Sequence, residues 1–281
     1  MQYPSEDIKA FYEAAVLYEE RGDPYHAVKL YKKVIKLAPE WPLAYARLGQ
    51  FYKNRWEWKP AFHYNKKNVA LDPSNRESWW NMGIAATALG KPRIAKRVWK
   101  KFGLQHRVWN PKCLRLSYNK QFEILLMQPD SPASATILNI PHPKSDRKYR
   151  DRILFDRHIS GHTISSGRKL PVYDELGLLK RSTFFTYSCL LPSADEIDIQ
   201  KLDELCQDYG LGFEVWSNSS RSYTVTKADK PAEYYDNSIF PKESENILVA
   251  IASRTEKAVL KVLSAWEIIS LKTYEDLQSH H

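Results

Sequence analysis

The sequence predicts an α+β protein in which an all-α helical-repeat solenoid precedes a two-layer α+β domain. Apolar residues recur at helical spacing with a 34-residue period in the first part of the chain, and short strand patterns follow. Charge divides at the same place, because residues 1–108 contain 20 Lys and Arg against 10 Asp and Glu, whereas the remainder contains 22 against 23. We therefore expect two domains, residues 1–109 and 111–281, joined at Asn110-Pro111, since the residue before a proline is pushed out of the helical region.

The period is visible at several positions at once. The segments Leu37-Ala-Pro39 and Leu71-Asp-Pro73 lie 34 residues apart. At the same offset the chain aligns small and aromatic residues: Ala15 with Gly49 and Gly83, Ala27 with Ala61 and Ala95, Phe11 with Tyr45 and Trp79, and Tyr18 with Tyr52. In these residues the chain resembles the tetratricopeptide repeat (TPR) family over about residues 5–108. The resemblance implies three stacked helix pairs, because one pair alone cannot bury its apolar face.

Some positions depart from the family pattern. Asn65 and Asn68 stand where the second repeat is expected to have apolar or small residues. In the third repeat Ala86 replaces the tyrosine, and no proline closes the repeat. We still expect helix pairs throughout, because Gly-Asp-Pro at 22–24 and Gly-Lys-Pro at 90–92 break the chain between helices.

Residues 111–281 alternate between strand and helix patterns. Strands are predicted at 121–127, 134–140, 152–155, 162–165, 169–173, 183–191, 213–216 and 247–252, with a turn at Ser166-Gly167. One helix is expected to begin at Ser193–Asp198 and end at Gly210, and another to begin after Thr255. Their buried stripes are predicted to be Ile199, Leu202, Cys206 and Tyr209, and Val259, Val262, Leu263, Trp266 and Ile269. The order predicts a two-layer sandwich of ferredoxin-like type.

The first helix of each repeat lines the groove in the TPR family, and the motif positions identify the corresponding residues here. The candidate partner-binding groove consists of Tyr12, Val16, Leu43, Gln50, Lys53, Trp80 and Ile84. This groove is mainly apolar, which predicts an extended or helical peptide from a protein partner as the ligand. The alternative is that the second half of the chain fills it. The Lys, Asn and Arg residues with which family members clamp the carboxylate of heat-shock chaperones are largely absent, which disfavours a co-chaperone role.

Residues 91–107 contain seven basic residues and no acidic residue. On a helix, one arc would be apolar and the opposite arc would carry a basic patch, which consists of Arg93, Lys96, Arg97, Lys100 and Lys101. The patch predicts an anionic partner, and an acidic protein is favoured over nucleic acid because no recognisable nucleic-acid module accompanies the charge. A solvated face with cations near a helix C-terminus is the alternative.

No motif for catalysis, cofactor binding or metal binding is present. The chain lacks a Gly-rich phosphate loop and the G-x-S-x-G, H-E-x-x-H and C-x-x-C patterns, and its three cysteines are scattered. His158 and His162, with Asp156 nearby, are the nearest approach to a catalytic or metal cluster, but Ser160-Gly161 indicates a turn between them. We therefore predict no catalytic residue, no metal and no cofactor.

These observations predict a non-enzymatic adaptor that binds a protein partner through the groove and the basic patch. The second half bears a weaker resemblance to the C-terminal part of bacterial repeat proteins found near secreted toxins, which implies an immunity-type toxin inhibitor as the specific form. An enzyme regulated by the repeats and a nucleic-acid binder are the alternatives. A cytoplasmic location is expected, because the N-terminus has no export signal and the longest apolar run, Ile247–Ala252, cannot span a membrane.

Overall fold

The computed structural model describes residues 4–104, 109–118, 121–165, 168–217, 222–224 and 246–280. The chain divides into two compact units, Met1–Arg107 and Val108–His281. The first, called the repeat unit below, is helical, and the second unit contains two sheets and two α-helices in its described part. The predicted α+β class is therefore confirmed. None of the described helices is long and apolar enough to cross a bilayer.

Helices follow one another in pairs along the described part of the repeat unit. They are α1 (Glu6–Glu20), α2 (Pro24–Leu37), α3 (Pro42–Asn54), α4 (Trp58–Leu71), α5 (Arg76–Ala88) and α6 (Pro92–Lys101). Consecutive helices pack as α1 with α2, α3 with α4, and α5 with α6. The second helices of the pairs begin at residues 24, 58 and 92, at intervals of 34. The TPR-like helix pairs predicted from the period are therefore confirmed.

Local signals set where these helices begin. The Asp23 side chain accepts a hydrogen bond from the His26 amide at 3.1 Å and caps α2, and the Asn75 side chain accepts from the Ser78 amide at 2.9 Å and caps α5. A proline occupies the first turn of α2, α3 and α6, where its missing N–H is not needed by the helix. Each cap satisfies an amide that the helix itself leaves unbonded.

Two glycines allow the paired helices to approach closely. A Cβ added at Gly49 would lie 2.6 Å from the side chain of Asn65, and one added at Gly83 would lie 2.4 Å from the ring of Trp99. Asn65 therefore fills, as a buried amide, the place that Trp99 fills in the third repeat. Its Nδ2 donates to the Ala61 carbonyl of its own helix at 2.8 Å.

The second unit begins with a small closed barrel. Its strands are β1 (Lys112–Tyr118), β2 (Gln121–Ser131), β3 (Ser134–Ile137), β4 (Arg152–Ser165) and β5 (Arg168–Lys180). Consecutive strands pair antiparallel, and β5 returns to pair with β1 in parallel, which closes the sheet. A short strand, β8 (Ser222–Thr224), adds to the start of β2. The predicted strands at 152–155 and 162–165 are one continuous strand with irregular register, and the predicted turn at Ser166-Gly167 lies outside the described residues.

A ferredoxin-like sandwich follows the barrel. Its elements are β6 (Phe185–Pro192), α7 (Glu196–Asp208), β7 (Gly212–Val215), β9 (Asn246–Ser253), α8 (Glu256–Ser270) and β10 (Glu275–His280). The four strands are antiparallel in the order β10-β6-β9-β7, which is the split β-α-β-β-α-β arrangement. The ferredoxin-like prediction is therefore confirmed for β6–β10 without β8, whereas the strands from 112 to 180, predicted to belong to the same two-layer domain, form the barrel because β5 pairs with β1.

The two helices of the sandwich bury most of the predicted residues, with two exceptions. Tyr209 is 43% exposed and Ile269 is 50% exposed, so both lie at the edge of the stripes on which they were predicted. Asp195 caps α7 in a reciprocal capping box with Asp198, three residues later. The predicted N-cap of α8, Thr255, accepts from the Ala258 amide at 3.4 Å.

Candidate partner-binding surfaces of the repeat unit

Part of the predicted groove is accessible on the first helices of repeats 1 and 2. We call this part the first-helix face, and it consists of Tyr12, Val16, Leu43, Gln50 and Lys53. Leu43 is 46% exposed and Gln50 is exposed, whereas the other three side chains are half-buried. The face therefore presents apolar surface with polar side chains on the same helix.

Aromatic packing holds this face together across the first two repeats. The Tyr12 ring lies 5.1 Å from the Trp41 ring and 5.8 Å from the Tyr31 ring, in tilted and edge-to-face arrangements. Trp41 immediately precedes α3, so this contact joins α1 to the start of the helix that carries Leu43. Such aromatic contacts stabilise rigid, specifically oriented surfaces.

A polar cluster lies beside these aromatic side chains. The Glu19 carboxylate accepts hydrogen bonds from Arg47 Nε at 3.0 Å and from the Tyr31 hydroxyl at 2.8 Å. Burial, together with the hydrogen bond to Glu19, raises the pKa of Tyr31. Arg47 was not predicted as a site residue, although its spacing of four residues from Leu43 on α3 places both on one helix face. Because Arg47 is paired with Glu19, this part of the surface has little net charge.

The structure buries the two groove residues predicted in the third repeat. Trp80 is 5% exposed and Ile84 is 0% exposed. The Trp80 ring packs edge-to-face on Trp99 and Phe102, at 5.1 and 5.3 Å between centroids. Trp80 therefore belongs to the interior of the third helix pair and not to an open groove.

The predicted basic patch lies on the outer side of α6. Ala95, Val98 and Trp99 are buried on the inner side of this helix. The five cations of the patch are all exposed: Arg93, Lys96, Arg97, Lys100 and Lys101. The predicted division of the helix into an apolar arc and a basic arc matches this burial.

The other two second helices are also basic, which the sequence analysis missed. On α2 and α4 the exposed cations are Lys29, Lys32, Lys33, Lys36, Lys59, Lys66 and Lys67. None of α2, α4 and α6 contains an Asp or a Glu. The signal was present in the sequence, because Lys32-Lys33, Lys66-Lys67 and Lys100-Lys101 recur at the 34-residue period.

The two histidines that come nearest to a catalytic or metal cluster lie along one strand of the second unit. His158 and His162 are both on β4, and the register of β4 against β5 shifts between Phe155 and Ile159 and again before Gly161. Ser160-Gly161 thus marks an irregular strand and not the predicted turn. In the part of the chain that the structure describes, no three His, Cys, Asp or Glu side chains are arranged to hold a metal ion.

The cysteines are buried thiols. Burial raises the pKa of Cys113 to about 11 and that of Cys189 to about 12. Burial also raises the pKa of Cys206. Because the thiolate is the reactive form, these side chains behave at neutral pH as small apolar groups.

The helix pairs and the sheet order define the class of protein: a TPR-like helical-repeat unit followed by a small barrel and a ferredoxin-like sandwich. No protein-family model matches the chain, and no curated protein sequence matches it. Among solved structures, the chain is similar to the first TPR domain of Spaghetti (RPAP3), described as bound to the HSP90 peptide SRMEEVD. That match has 22% identity and a TM-score of 0.33, and it covers 36% of this chain and 80% of that chain.

Two further solved structures are similar at the same level. The Sgt2 TPR domain from Aspergillus fumigatus is 18% identical with a TM-score of 0.32, over 35% of this chain and 65% of that chain. Yeast Tom70 is 19% identical with a TM-score of 0.33, over 37% of this chain and 21% of that chain. The TPR-like architecture of the repeat unit follows from its own helix pairs and their 34-residue spacing.

Proposed function

We propose that the protein is a non-enzymatic interaction protein that binds a segment of a protein partner on the first-helix face. The observation that carries this proposal is Leu43, a large aliphatic side chain that is 46% exposed on α3, the helix whose N-cap Trp41 contacts Tyr12 of α1. Exposed apolar side chains on a rigid scaffold are typical anchors of a partner-binding site. Leu43 and the partly exposed Tyr12 and Val16 would supply the apolar anchors.

The polar residues around these anchors fit a peptide or an exposed helix of the partner. Gln50 and Lys53 lie about two and three turns after Leu43 on α3, and the exposed Gln50 amide can hydrogen-bond the partner's main chain or side chains. A binding surface with apolar anchors and a polar rim concentrates most of its binding energy in the anchors. Trp80 and Ile84 are not included, because both are buried.

The basic patch on α6 has a separate role in this proposal. Its five exposed cations, Arg93, Lys96, Arg97, Lys100 and Lys101, would attract an acidic partner and accelerate the first encounter. The effect would weaken as salt rises, because surface charges are screened over about 8–10 Å at physiological ionic strength. No contact in the structure narrows the partner to a toxin, and the toxin-inhibitor and cytoplasmic predictions stay predictions from the sequence.

The test is affinity capture with two matched baits. Leu43→Asp places a charge on the proposed anchor, and Ile268→Asp places the same charge on an aliphatic residue of α8 that is 77% exposed. A partner recovered by the unmodified chain is expected to fall about tenfold or more with Leu43→Asp, since loss of a central anchor typically costs about 2 kcal/mol or more. Recovery with Ile268→Asp is expected to be unchanged.

Circular dichroism melting of both baits shows that they fold as the unmodified chain does. Equal recovery by Leu43→Asp and the unmodified chain would contradict the proposal. Equal losses with both variants would also contradict it, because the loss would then be unrelated to the first-helix face.

A further inference from the structure

The lysine pairs of the second helices form a repeated structural feature. Lys32-Lys33, Lys66-Lys67 and Lys100-Lys101 occupy the same position in α2, α4 and α6, and all six side chains are exposed. We call them the lysine ladder. Across the described residues, none of the six forms an ion pair, and no acid lies on the three helices that carry them. The three second helices therefore carry only positively charged side chains among their acidic and basic residues.

The second lysine of a pair has a structural role that the first does not share. Lys33 Nζ lies 3.5 Å from the Phe11 ring centroid, and Lys101 Nζ lies 4.6 Å from the Trp79 ring centroid. Phe11 and Trp79 are equivalent positions of repeats 1 and 3, so this is one cation–π contact used twice. Lys33 and Lys101 make this contact. Among the described residues, Lys32 and its equivalents Lys66 and Lys100 make no cation–π contact, so their charges are available to a ligand.

Lys32 borders an open surface depression between α2 and the C-terminal end of α3. The depression has a volume of about 530 Å³ and is not an enclosed cavity. It is lined by Pro24, Tyr25, Val28, Lys29, Lys32, Phe51, Tyr52, Arg55 and Glu57. We call it the α2–α3 pocket, and it shares no residue with the first-helix face.

The lining of the pocket combines apolar rings with cations. Tyr25 is 69% exposed, and Lys29 Nζ lies 5.9 Å from its ring centroid. The Arg55 guanidinium lies 5.5 Å from the Phe51 ring centroid. The one acid in the lining, Glu57, accepts a hydrogen bond from Arg55 Nε at 2.9 Å. The pocket therefore offers aromatic and aliphatic surface bordered by positive charge.

We propose that the α2–α3 pocket binds an acidic segment of a protein partner that carries one large apolar side chain. The apolar side chain enters between Val28 and Phe51, and flanking carboxylates pair with Lys29 and Lys32. The segment then continues along the lysine ladder, where further carboxylates meet cations that have no acid on their own helices. This site is distinct from the first-helix face and goes beyond the proposed function.

The lining favours a peptide over nucleic acid. The apolar rings of the lining give no contact to a phosphate, whereas a peptide can place its apolar side chain there and its carboxylates at the rim. Nucleic acid would gain most of its affinity from phosphate contacts with the ladder, with at most one base stacked on an aromatic ring of the pocket. The two ligands are therefore distinguished by whether removal of the apolar side chain weakens binding.

The experiment measures fluorescence anisotropy of labelled probes titrated with the full chain. The main probe is a 12-residue peptide of Asp and Glu with one central Phe, and the comparison probes replace Phe with Ser or replace the peptide with a single-stranded oligonucleotide of equal charge. We expect the Ser probe to bind about fivefold more weakly than the Phe probe. We expect the double variant Lys29→Glu/Lys32→Glu to weaken binding of the Phe probe at least tenfold.

A control variant with the same change in net charge is Lys257→Glu/Lys261→Glu, on two exposed positions of α8. This control is expected to change the affinity for the Phe probe by less than about threefold. Tyr25→Ala, a second pocket variant on an exposed side chain, is expected to weaken binding of the Phe probe. Equal binding of the Phe and Ser probes, equal effects of the two charge reversals, or tighter binding of the oligonucleotide would each overturn the proposal. Leu43→Asp should leave the Phe probe unaffected; if it weakens that probe instead, the peptide occupies the first-helix face and the pocket assignment is wrong.

Discussion

The interior of the repeat unit and the interior of the second unit differ in the polar groups that they bury. In the described part of the repeat unit, the buried amides are Asn65, Asn68 and Asn81, and no charged side chain is buried with them. The second unit buries the carboxylates of Glu123, Asp151 and Asp198 in its described residues. The two units thus use neutral and charged side chains, respectively, at positions from which water is excluded.

The hydrogen bonds of these groups differ in the same way. The Oδ1 atoms of Asn65, Asn68 and Asn81 have no donor within the described protein. In contrast, Asp151 accepts from the amides of Lys148 and Ser182 at 2.9 and 2.6 Å. An unpaired neutral amide oxygen costs far less than an unpaired buried charge. We conclude that the repeat unit depends on close helix packing, whereas the second unit depends on satisfied carboxylates.

The largest expected effect comes from removing one of these carboxylates. Asp151→Ala leaves the partly buried backbone amides of Lys148 and Ser182 without their acceptor, and it leaves the Arg181 guanidinium without the carboxylate that lies 3.6 Å away. We expect the free energy of unfolding to fall by about 3 kcal/mol or more, as measured by urea denaturation.

The matched control is Asp208→Ala, at an exposed position at the end of α7, which is expected to change stability by no more than about 0.5 kcal/mol. Asp151→Asn keeps one acceptor oxygen, so its loss of stability should lie between those of Asp151→Ala and Asp208→Ala. Similar losses of stability for Asp151→Ala and Asp208→Ala would show that the second unit does not depend on its buried carboxylates more than on its exposed ones.

A smaller effect is expected from a change in helix packing in the repeat unit. Gly83→Ala places a methyl group 2.4 Å from the Trp99 ring, so the ring or the helix must move. Overpacking of this kind typically costs about 1–3 kcal/mol. The double variant with Trp99→Leu should lose less stability than the sum of the two single variants, because the smaller side chain leaves room for the methyl group. If the two losses in the free energy of unfolding add strictly, the close approach of α5 and α6 is not the cause of the destabilisation by Gly83→Ala.

The sequence predicted features that depend on residues close together in the chain. The helix pairs follow from a local period, and the ferredoxin-like sandwich follows from the order of its elements. Closure of the barrel was not predicted, because β1 and β5 pair through residues as distant as Cys113 and Val172. The strand β10 was missed because Glu275–His280 is almost entirely polar, so it lacks the alternating pattern of a half-buried strand.

The candidate site shows the same limit. Leu43 and Trp80 both occupy first-helix positions, and the helical period cannot distinguish them. Trp80 is buried because Trp99 and Phe102, from the following helix and its end, pack on it. The lysine ladder, in contrast, could have been found from the sequence by comparing equivalent positions of the repeats.

The smallest expected effect is a pH dependence of stability that comes from a partly buried carboxylate of the second unit, Glu175. Burial raises the pKa of Glu175, although Arg147 Nε donates to it at 2.7 Å and Arg181 also opposes the shift, while Asp151 adds to it. The folded protein then retains a proton that the unfolded chain has released, so this group lowers the free energy of unfolding as pH rises through the folded pKa. Glu175→Gln cannot ionise, and its stability relative to the unmodified chain is expected to increase from about pH 4 to about pH 7 in urea denaturation. A constant difference in stability between Glu175→Gln and the unmodified chain would mean that the pKa of this carboxyl is the same in the folded and unfolded states.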